Sequence, residues 1–263
     1  MKKDIWVLDT IDLQEIVAIA KKAGKAIMQI YRRDFEIEYK EDKSPLTEAD
    51  IRSNEIITTA LKDAYPDIPI LSEEEKEAPY DVRKTWDFFW LIDPIDGTKE
   101  FIKKNGEFTV NIALVHEKTP VLGVVYAPAL GDLYYAKQGN GAFKNGQRLP
   151  LKCNENPEKY LRVVASKSHL SEETQAYIDM LAQQTETIEQ VSKGSSLKLC
   201  MVAEGEADVY PRLGPTMEWD TAAADAIVRA SGKMTNQYIG PADTSVPLVY
   251  NKENLLNPYF IVR

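Results

Sequence analysis

From Phe88 to Arg148 the chain reads as one strand-forming segment after another, and this run decides most of what the protein can fold into. Phe88–Ile92 is a short apolar strand that runs directly into acidic residues, as does Ile68–Leu71 before it. Phe108–His116 and Val121–Tyr126 follow, joined by an expected turn at Lys118-Thr119-Pro120, and then Leu133–Ala136. Phe143 and Arg148 flank Asn145-Gly146, a dipeptide that predicts a tight hairpin because both residues tolerate positive φ. On the N-terminal side, Ile16, Val17, Ala20, Ala23, Ile27, Ile30 and Tyr31 recur at three- and four-residue steps and predict an amphipathic helix from Leu13. Asp12, with Glu15 three residues on, fits its N-terminal cap. A second helix is expected from near Thr47, with Ile56, Ile57, Ala60, Leu61 and Ala64 on one face and Pro66 and Pro69 ending it.

After Pro157 the pattern changes to alternation: strand Leu161–Ala165, helix Glu172–Leu181, strand Thr187–Val191, helix Ser196–Ala203, strand Ala207–Tyr210. A last helix, Thr221–Ala230, is expected to stop at Ser231-Gly232, which fits a C-terminal cap. Helices first, an antiparallel meander, then α/β alternation predict a mixed α/β (α+β) chain. The expected division is residues 1–155 and 156–263, with a boundary near Asn154–Lys159 and a site shared between the halves.

A chain of 263 residues with 44% apolar and 28% charged residues can bury a large core without staples. Its balance of 32 basic against 41 acidic residues, net −9, argues against general nucleic-acid binding, which needs a basic field. A small anionic ligand stays compatible, since a few local cations reverse the sign inside one pocket. Cys153 and Cys200 are too far apart for a CxxC motif and read as reduced thiols. Met1-Lys2-Lys3 is followed by Asp4, Asp9 and Asp12, which interrupt any signal-peptide core. The longest uncharged stretch, Thr119 to Gly131, contains Pro120, Gly123 and Pro128 and falls short of the ~18 residues of a membrane span. The expectation is a soluble cytoplasmic protein with no transmembrane segment, with peripheral membrane association left open.

The chemistry concentrates in Trp90-Leu91-Ile92-Asp93-Pro94-Ile95-Asp96-Gly97-Thr98. A buried strand delivers Asp93 at its end, Pro94 turns the chain, and Asp96 returns so that both carboxylates can face one point. Gly97 and Thr98 then offer backbone N–H groups in a phosphate-type turn. Two converging carboxylates repel unless a cation lies between them, and oxygen ligands without nearby His or Cys select Mg²⁺ over Zn²⁺. A bland account exists for each part: turn caps for Asp93 and Asp96, a solvated charge run for Glu73-Glu74-Glu75, an N-cap for Asp220. Together, strand-end acids beside a phosphate-type turn point to a two-metal phosphoryl site.

At these residues the chain resembles the lithium-sensitive, magnesium-dependent phosphomonoesterase superfamily of inositol monophosphatases and fructose-1,6-bisphosphatases. Its two signatures stand here as Asp93-Pro94-Ile95-Asp96-Gly97-Thr98 and Trp219-Asp220-Thr221-Ala222-Ala223. The likeness is greatest to the bisphosphate-nucleotidase branch and spans nearly the whole chain, including Ser44-Pro45-Leu46-Thr47, Leu71-Ser72-Glu73-Glu74, Lys99-Glu100-Phe101-Ile102, Gly106 to Ala113, Gly194-Ser195-Ser196-Leu197-Lys198 and Tyr210 to Thr216. The resemblance implies a layered αβαβα sandwich. It implies that Glu73, Asp93, Asp96, Asp220 and the Ile95 carbonyl hold Mg²⁺, and that Thr98, with Glu73 and Asp50, positions and deprotonates the attacking water. Thr47 and Asp50 also form a capping box at a helix start, so a structural account of them stands beside the catalytic one.

The same resemblance places His169, Ser195, Lys198 and Arg212 around a nucleotide, with Gly97, Thr98 and Asp220 also meeting substrate. The implied reaction is hydrolysis of the 3′-phosphate of adenosine 3′,5′-bisphosphate, with the sulfated analogue as a second candidate substrate. The nearest rival is an inositol or sugar phosphatase of the same superfamily. Lys99-Glu100-Phe101 resembles the nucleotidase branch instead. A non-catalytic nucleotide or Mg²⁺ sensor is the rival from another class, and a complete water-activating set speaks against it.

Overall fold

The structure is a computed structural model that describes residues 4–40, 45–165, 171–240 and 246–263. It opens with helices α1 (Asp4–Thr10) and α2 (Leu13–Tyr31), a hairpin of β1 (Ile37–Tyr39) and β2 (Pro45–Thr47), and helix α3 (Glu48–Ala64). Next come β3 (Ile70–Ser72), α4 (Tyr80–Arg83), β4 (Phe88–Asp96), α5 (Thr98–Ile102), β5 (Thr109–His116), β6 (Thr119–Ala127), β7 (Asp132–Lys137), β8 (Gly141–Lys144) and β9 (Gln147–Arg148). The remainder is β10 (Tyr160–Val164), α6 (Glu172–Leu181), β11 (Thr187–Val191), α7 (Leu197–Glu204), β12 (Tyr210–Arg212), α8 (Glu218–Ala230), β13 (Thr235–Gln237) and β14 (Phe260–Val262).

Strands β3 to β9 form one sheet in chain order, with β3 parallel to β4 and every later pair antiparallel. Its central strands are apolar at nearly every position because both faces are covered. On β4, β5 and β6 the residues Trp90, Ile92, Ile112, Leu114, Leu122 and Val124 pack with Ile16, Ala20, Ile27, Ile57 and Leu61 of α2 and α3. The alternate residues Phe89, Leu91, Ala113, Val115, Val125 and Ala127 pack with α7 and α8 on the opposite face. Behind those helices lie β12 and β14, whose Tyr210, Phe260 and Val262 join the same cluster. Helix α6 covers the far side, with Tyr177, Ile178 and Leu181 against Val163, Val209 and Ile261. The layers therefore run helix, sheet, helix, sheet, helix, the αβαβα order expected.

Helix α8 approaches the sheet closely because its inner face is small. Ala223 and Ala226 meet β6 there, and a Cβ at Gly123 of β6 would stand 2.1 Å from the Ala223 carbonyl oxygen. Glycine is the residue that fits. Asp12 caps α2 by accepting from the Gln14 N–H at 2.9 Å, and Asn145 and Gly146 adopt positive φ in the hairpin between β8 and β9. Among the described residues, no helix is long and apolar enough to cross a membrane.

Several boundaries differ from the sequence expectation. The turn between β5 and β6 is Glu117-Lys118, both at positive φ, while Thr119 and Pro120 already belong to β6. Pro120 is tolerated because it lies at the strand's start, where the β5–β6 register shifts. The strand expected at Ala207–Tyr210 is observed as Tyr210–Arg212, and the last helix begins at Glu218, three residues early. Ala64 is exposed, and the buried face of α3 is polar at its N-terminal end: Asp50, Ser53, Asn54 and Thr58 lie inward with Ile57 and Leu61. Hydrophobic periodicity misses such a face because its burial serves polar contacts. Cys200 is buried and Cys153 exposed, and both are unpaired.

Candidate active site

The strand β4 carries the first two acids. Two residues three apart on a regular strand point to opposite faces. Here Asp93 pairs with Asn111 and Asp96 with Thr109, so β4 spans three steps against two on β5, and this bulge returns Asp96 to the side that Asp93 faces. Asp220 arrives from the third position of α8, where its Oδ2 accepts the Met217 N–H at 2.8 Å. It is not the N-cap itself. Carboxylate oxygens of Asp93, Asp96 and Asp220 all lie within 4.8 Å of one another.

Their electrostatics are those of acids lacking a counter-ion. Burial lifts the Asp93 carboxyl well above its ordinary value, and the charges of Glu73, Asp96 and Asp220 lift it further. Asp220 is pushed up to about 8, first by burial and then by Asp96. Each shift states that the ionised form is unfavourable here without a cation. Among the described residues no ammonium or guanidinium forms an ion pair with these three acids. Clustered carboxylate oxygens with no His or Cys among them suit a hard divalent ion, so the donor set fits a metal.

Glu73 follows β3 and shares a hydrogen bond with Asp93. Burial raises its pKa, countered by Lys40, whose ammonium lies 2.9 Å from Glu73 Oε1 and 2.6 Å from Glu74 Oε1. The Glu73–Glu75 run is therefore partly buried and paired, not simply solvated. Burial alone would lower the Lys40 pKa, but the charge of Glu73 and the hydrogen bonds to both glutamates outweigh it and raise it. Lys40 was not anticipated: one lysine at the end of a short exposed strand carries no pattern.

Asp50 reconciles the two accounts given for it. Its Oδ2 accepts the Thr47 N–H at 2.8 Å and the Thr47 hydroxyl at 2.7 Å, completing the capping box of α3. Its Oδ1 accepts from Thr98 Oγ1 at 3.2 Å. One carboxylate caps a helix with one oxygen and meets the Thr98 hydroxyl with the other. Burial raises the Asp50 pKa against the pull of the Thr47 hydrogen bonds. The Thr98 hydroxyl also lies 3.3 Å from the Ile95 carbonyl oxygen, while the Ile95 side chain is core packing, 2% exposed. Ser53 Oγ donates to the Pro94 carbonyl at 2.9 Å and Ser72 Oγ to Asn54 Oδ1 at 2.7 Å, so the polar face of α3 fastens β3 and β4 beneath the acids.

Beside the acids is a cavity of about 170 Å³, lined among others by Asp96, Gly97, Ser195, Lys198, Arg212 and Asp220. Gly97 has φ +92° as the N-cap of α5, and a Cβ there would approach Ser195 Cβ at 3.2 Å. Ser195, at φ +49°, precedes α7, which begins at Leu197. The helix start expected at Ser196 is thus its N-cap. Its N–H is engaged by Asp96 Oδ2 at 2.6 Å and is not open to a phosphate. Lys198 Nζ donates to the Ser195 carbonyl at 3.1 Å, and Arg212 Nη2 to the Pro215 carbonyl at 2.9 Å. The Arg212 Nε is buried with no partner. His169 lies outside the described residues.

The profile of the inositol monophosphatase family matches residues 9–257. A relative from Salmonella typhimurium (strain LT2), named 3′(2′),5′-bisphosphate nucleotidase CysQ, is 46% identical over 252 residues, covering 95% of this chain and 98% of the relative. The protein of the same name from Escherichia coli (strain K12) is 43% identical over 253 residues, with 95% and 98% coverage. The crystal structure of CysQ from Bacteroides thetaiotaomicron superimposes with a TM-score of 0.85 at 45% identity, covering 95% of this chain and 96% of that one.

Proposed function

The chain belongs to the inositol monophosphatase family, and on that premise we propose that it is a 3′(2′),5′-bisphosphate nucleotidase that hydrolyses the 3′-phosphate of adenosine 3′,5′-bisphosphate to AMP with Mg²⁺ as cofactor. The observation that carries the reading is the convergence of Asp93 with Asp96 and Asp220, the latter two lining a cavity that also holds Lys198 and Arg212. The acids supply a cation site, and the two basic side chains, which form no ion pair among the described residues, supply complementarity to a second phosphate.

Glu73, Asp93, Asp96, Asp220 and the Ile95 carbonyl would hold the metal. When bound, a divalent cation supplies charge neutralisation and Lewis acidity at the phosphoryl group. The chain's own residues do the positioning that phosphoryl transfer depends on. Thr98 Oγ1 donates to Asp50 Oδ1, and its oxygen is then free to accept a proton from the attacking water. The Thr98 proton then passes to Asp50, a carboxyl that burial has made more basic than usual. Gly97 and Ser195 border the reacting phosphate, and Lys198 and Arg212 hold the nucleotide at a distance from it. A cytoplasmic location is part of the same reading and agrees with two unpaired cysteines.

The test is phosphate release from adenosine 3′,5′-bisphosphate, its sulfated analogue, inositol 1-phosphate, fructose 1,6-bisphosphate and AMP, each with and without Mg²⁺ and with Li⁺ against Na⁺. Adenosine 3′,5′-bisphosphate should be preferred, the reaction should need Mg²⁺, and Li⁺ should inhibit where Na⁺ does not. Preference for inositol 1-phosphate would overturn the substrate assignment.

A further inference from the structure

We propose that Ser196 and Asn111 are positioning residues that aim the Asp96 carboxylate at the metal, an inference that rests on reading Asp96 as a ligand. Asp96 Oδ2 receives three donors: the Ser196 N–H at 2.6 Å, the Ser196 hydroxyl at 2.6 Å and Asn111 Nδ2 at 3.4 Å. Among the described residues no donor reaches Oδ1. One oxygen is saturated by the protein and the other is left for a cation, which fixes the torsion of the carboxylate before any ion arrives.

The supporting shell is itself locked. Ser196 and Asn111 are each 1% exposed, and Asn111 Nδ2 donates to Ser196 Oγ at 2.8 Å. Ser196 Oγ also lies 2.7 Å from the main-chain oxygen of Asp220, so one hydroxyl bridges two acids' residues from β4 and α8. That hydroxyl has a single proton, and an ionised carboxylate is the stronger acceptor. Asn111 buries its Oδ1 with no partner. An orphaned buried acceptor is unfavourable, so an apolar residue would serve packing better at this strand position. The amide is explained by what its N–H groups hold.

The position of Asn111 follows from the bulge in β4. Asn111 stands opposite Asp93 in the register, and the extra residue of β4 carries Asp96 back toward it. Ser196 follows from the tight entry to α7, where Ser195 takes positive φ and turns the next N–H toward β4. Hydrogen-bond partners of metal ligands commonly control metal affinity by ~10–100-fold.

The experiment strips the full-length protein with a chelator and titrates it with Mn²⁺ alone, following the free-ion signal by electron paramagnetic resonance. Ser196→Ala should weaken Mn²⁺ binding by ~10–100-fold, while the metal-free thermal midpoint stays close to the parent's. Ser196→Thr, which keeps the hydroxyl, should recover most of the affinity. Asn111→Ser should also weaken binding, and combining it with Ser196→Ala should add little, because the two act through one carboxylate. Asp96→Asn is the control. If Asp96→Asn binds Mn²⁺ like the parent, the ligand reading itself fails. If Asp96→Asn loses binding but Ser196→Ala does not, the positioning role is overturned. If Ser196→Ala does not fold, unchanged Mn²⁺ affinity in Asn111→Ser overturns it equally.

Discussion

Without a bound cation this protein should become less stable as the pH rises, opposite to the usual behaviour of a protein held by paired carboxylates. The magnitude follows from Asp220, whose carboxyl moves from 3.8 in an unfolded chain to about 8 in the fold because it is buried beside Asp96. Between those values the folded state holds a proton that the unfolded state has released. Unfolding then releases protons, so stability falls with pH at up to ~1.4 kcal/mol per pH unit. From about pH 5 to about pH 8 this single group removes about 4 kcal/mol. Asp93, Asp50 and Glu73 are raised as well and add in the same direction. Against a total stability of roughly 5–15 kcal/mol the loss is large. It corresponds to a thermal midpoint lower by on the order of 10 °C. A bound cation needs the ionised carboxylates, so its stabilisation grows with pH and should flatten or reverse the trend. Urea titrations of chelator-treated protein across this pH range, with and without Mg²⁺, measure both slopes. Asp220→Asn should reduce the slope of the metal-free protein by its share. A metal-free stability that is flat or rises toward alkaline pH would refute the electrostatic account of the acid cluster.

Asp96→Asn keeps the side-chain shape but removes the charge of a proposed ligand, and turnover at saturating Mg²⁺ should drop by at least ~10²–10³ with the fold retained. Steady-state phosphate release and far-ultraviolet circular dichroism check the two halves of that statement. Lys198→Ala and Arg212→Ala should raise KM for adenosine 3′,5′-bisphosphate. The loss in kcat/KM should reach roughly 30- to several-thousand-fold if each faces a desolvated substrate charge, while a small generic phosphomonoester is hydrolysed almost as before. Equal loss on both substrates would place them in support of the metal centre instead. Gly123→Ala drives a methyl group into the Ala223 carbonyl, 2.1 Å away, and should cost about 3 kcal/mol or more in urea unfolding by overpacking the contact of α8 with the sheet.

The sequence alone determined the elements whose signals are local. The 3.6-residue period of α2, the Asn145-Gly146 hairpin, the capping box at Thr47 and Asp50, and the helix α6 all reappear where periodicity and turn chemistry put them. The acidic segments around Asp93 and Asp220 stood out through their resemblance to the family's signatures, each part having a bland account of its own, and the structure brings their carboxylates together. Tertiary structure decided how those acids meet. On a plain strand Asp93 and Asp96 would face opposite ways, and the one-residue bulge against β5 is what turns Asp96 back. Lys40 gave no sequence signal, and Asn111 and Ser196 stood inside segments that resemble the family without any role readable for them, since each is an ordinary polar residue until packing brings it against Glu73 or Asp96. The polar inner face of α3 was unreadable for a related reason: its burial is satisfied by hydrogen bonds to Pro94, Ser72 and Thr98, partners remote in the chain. Periodicity reports how a segment meets water, whereas the convergence of α3, β3, β4, α7 and α8 on one point depends on long-range packing that no window of the sequence contains.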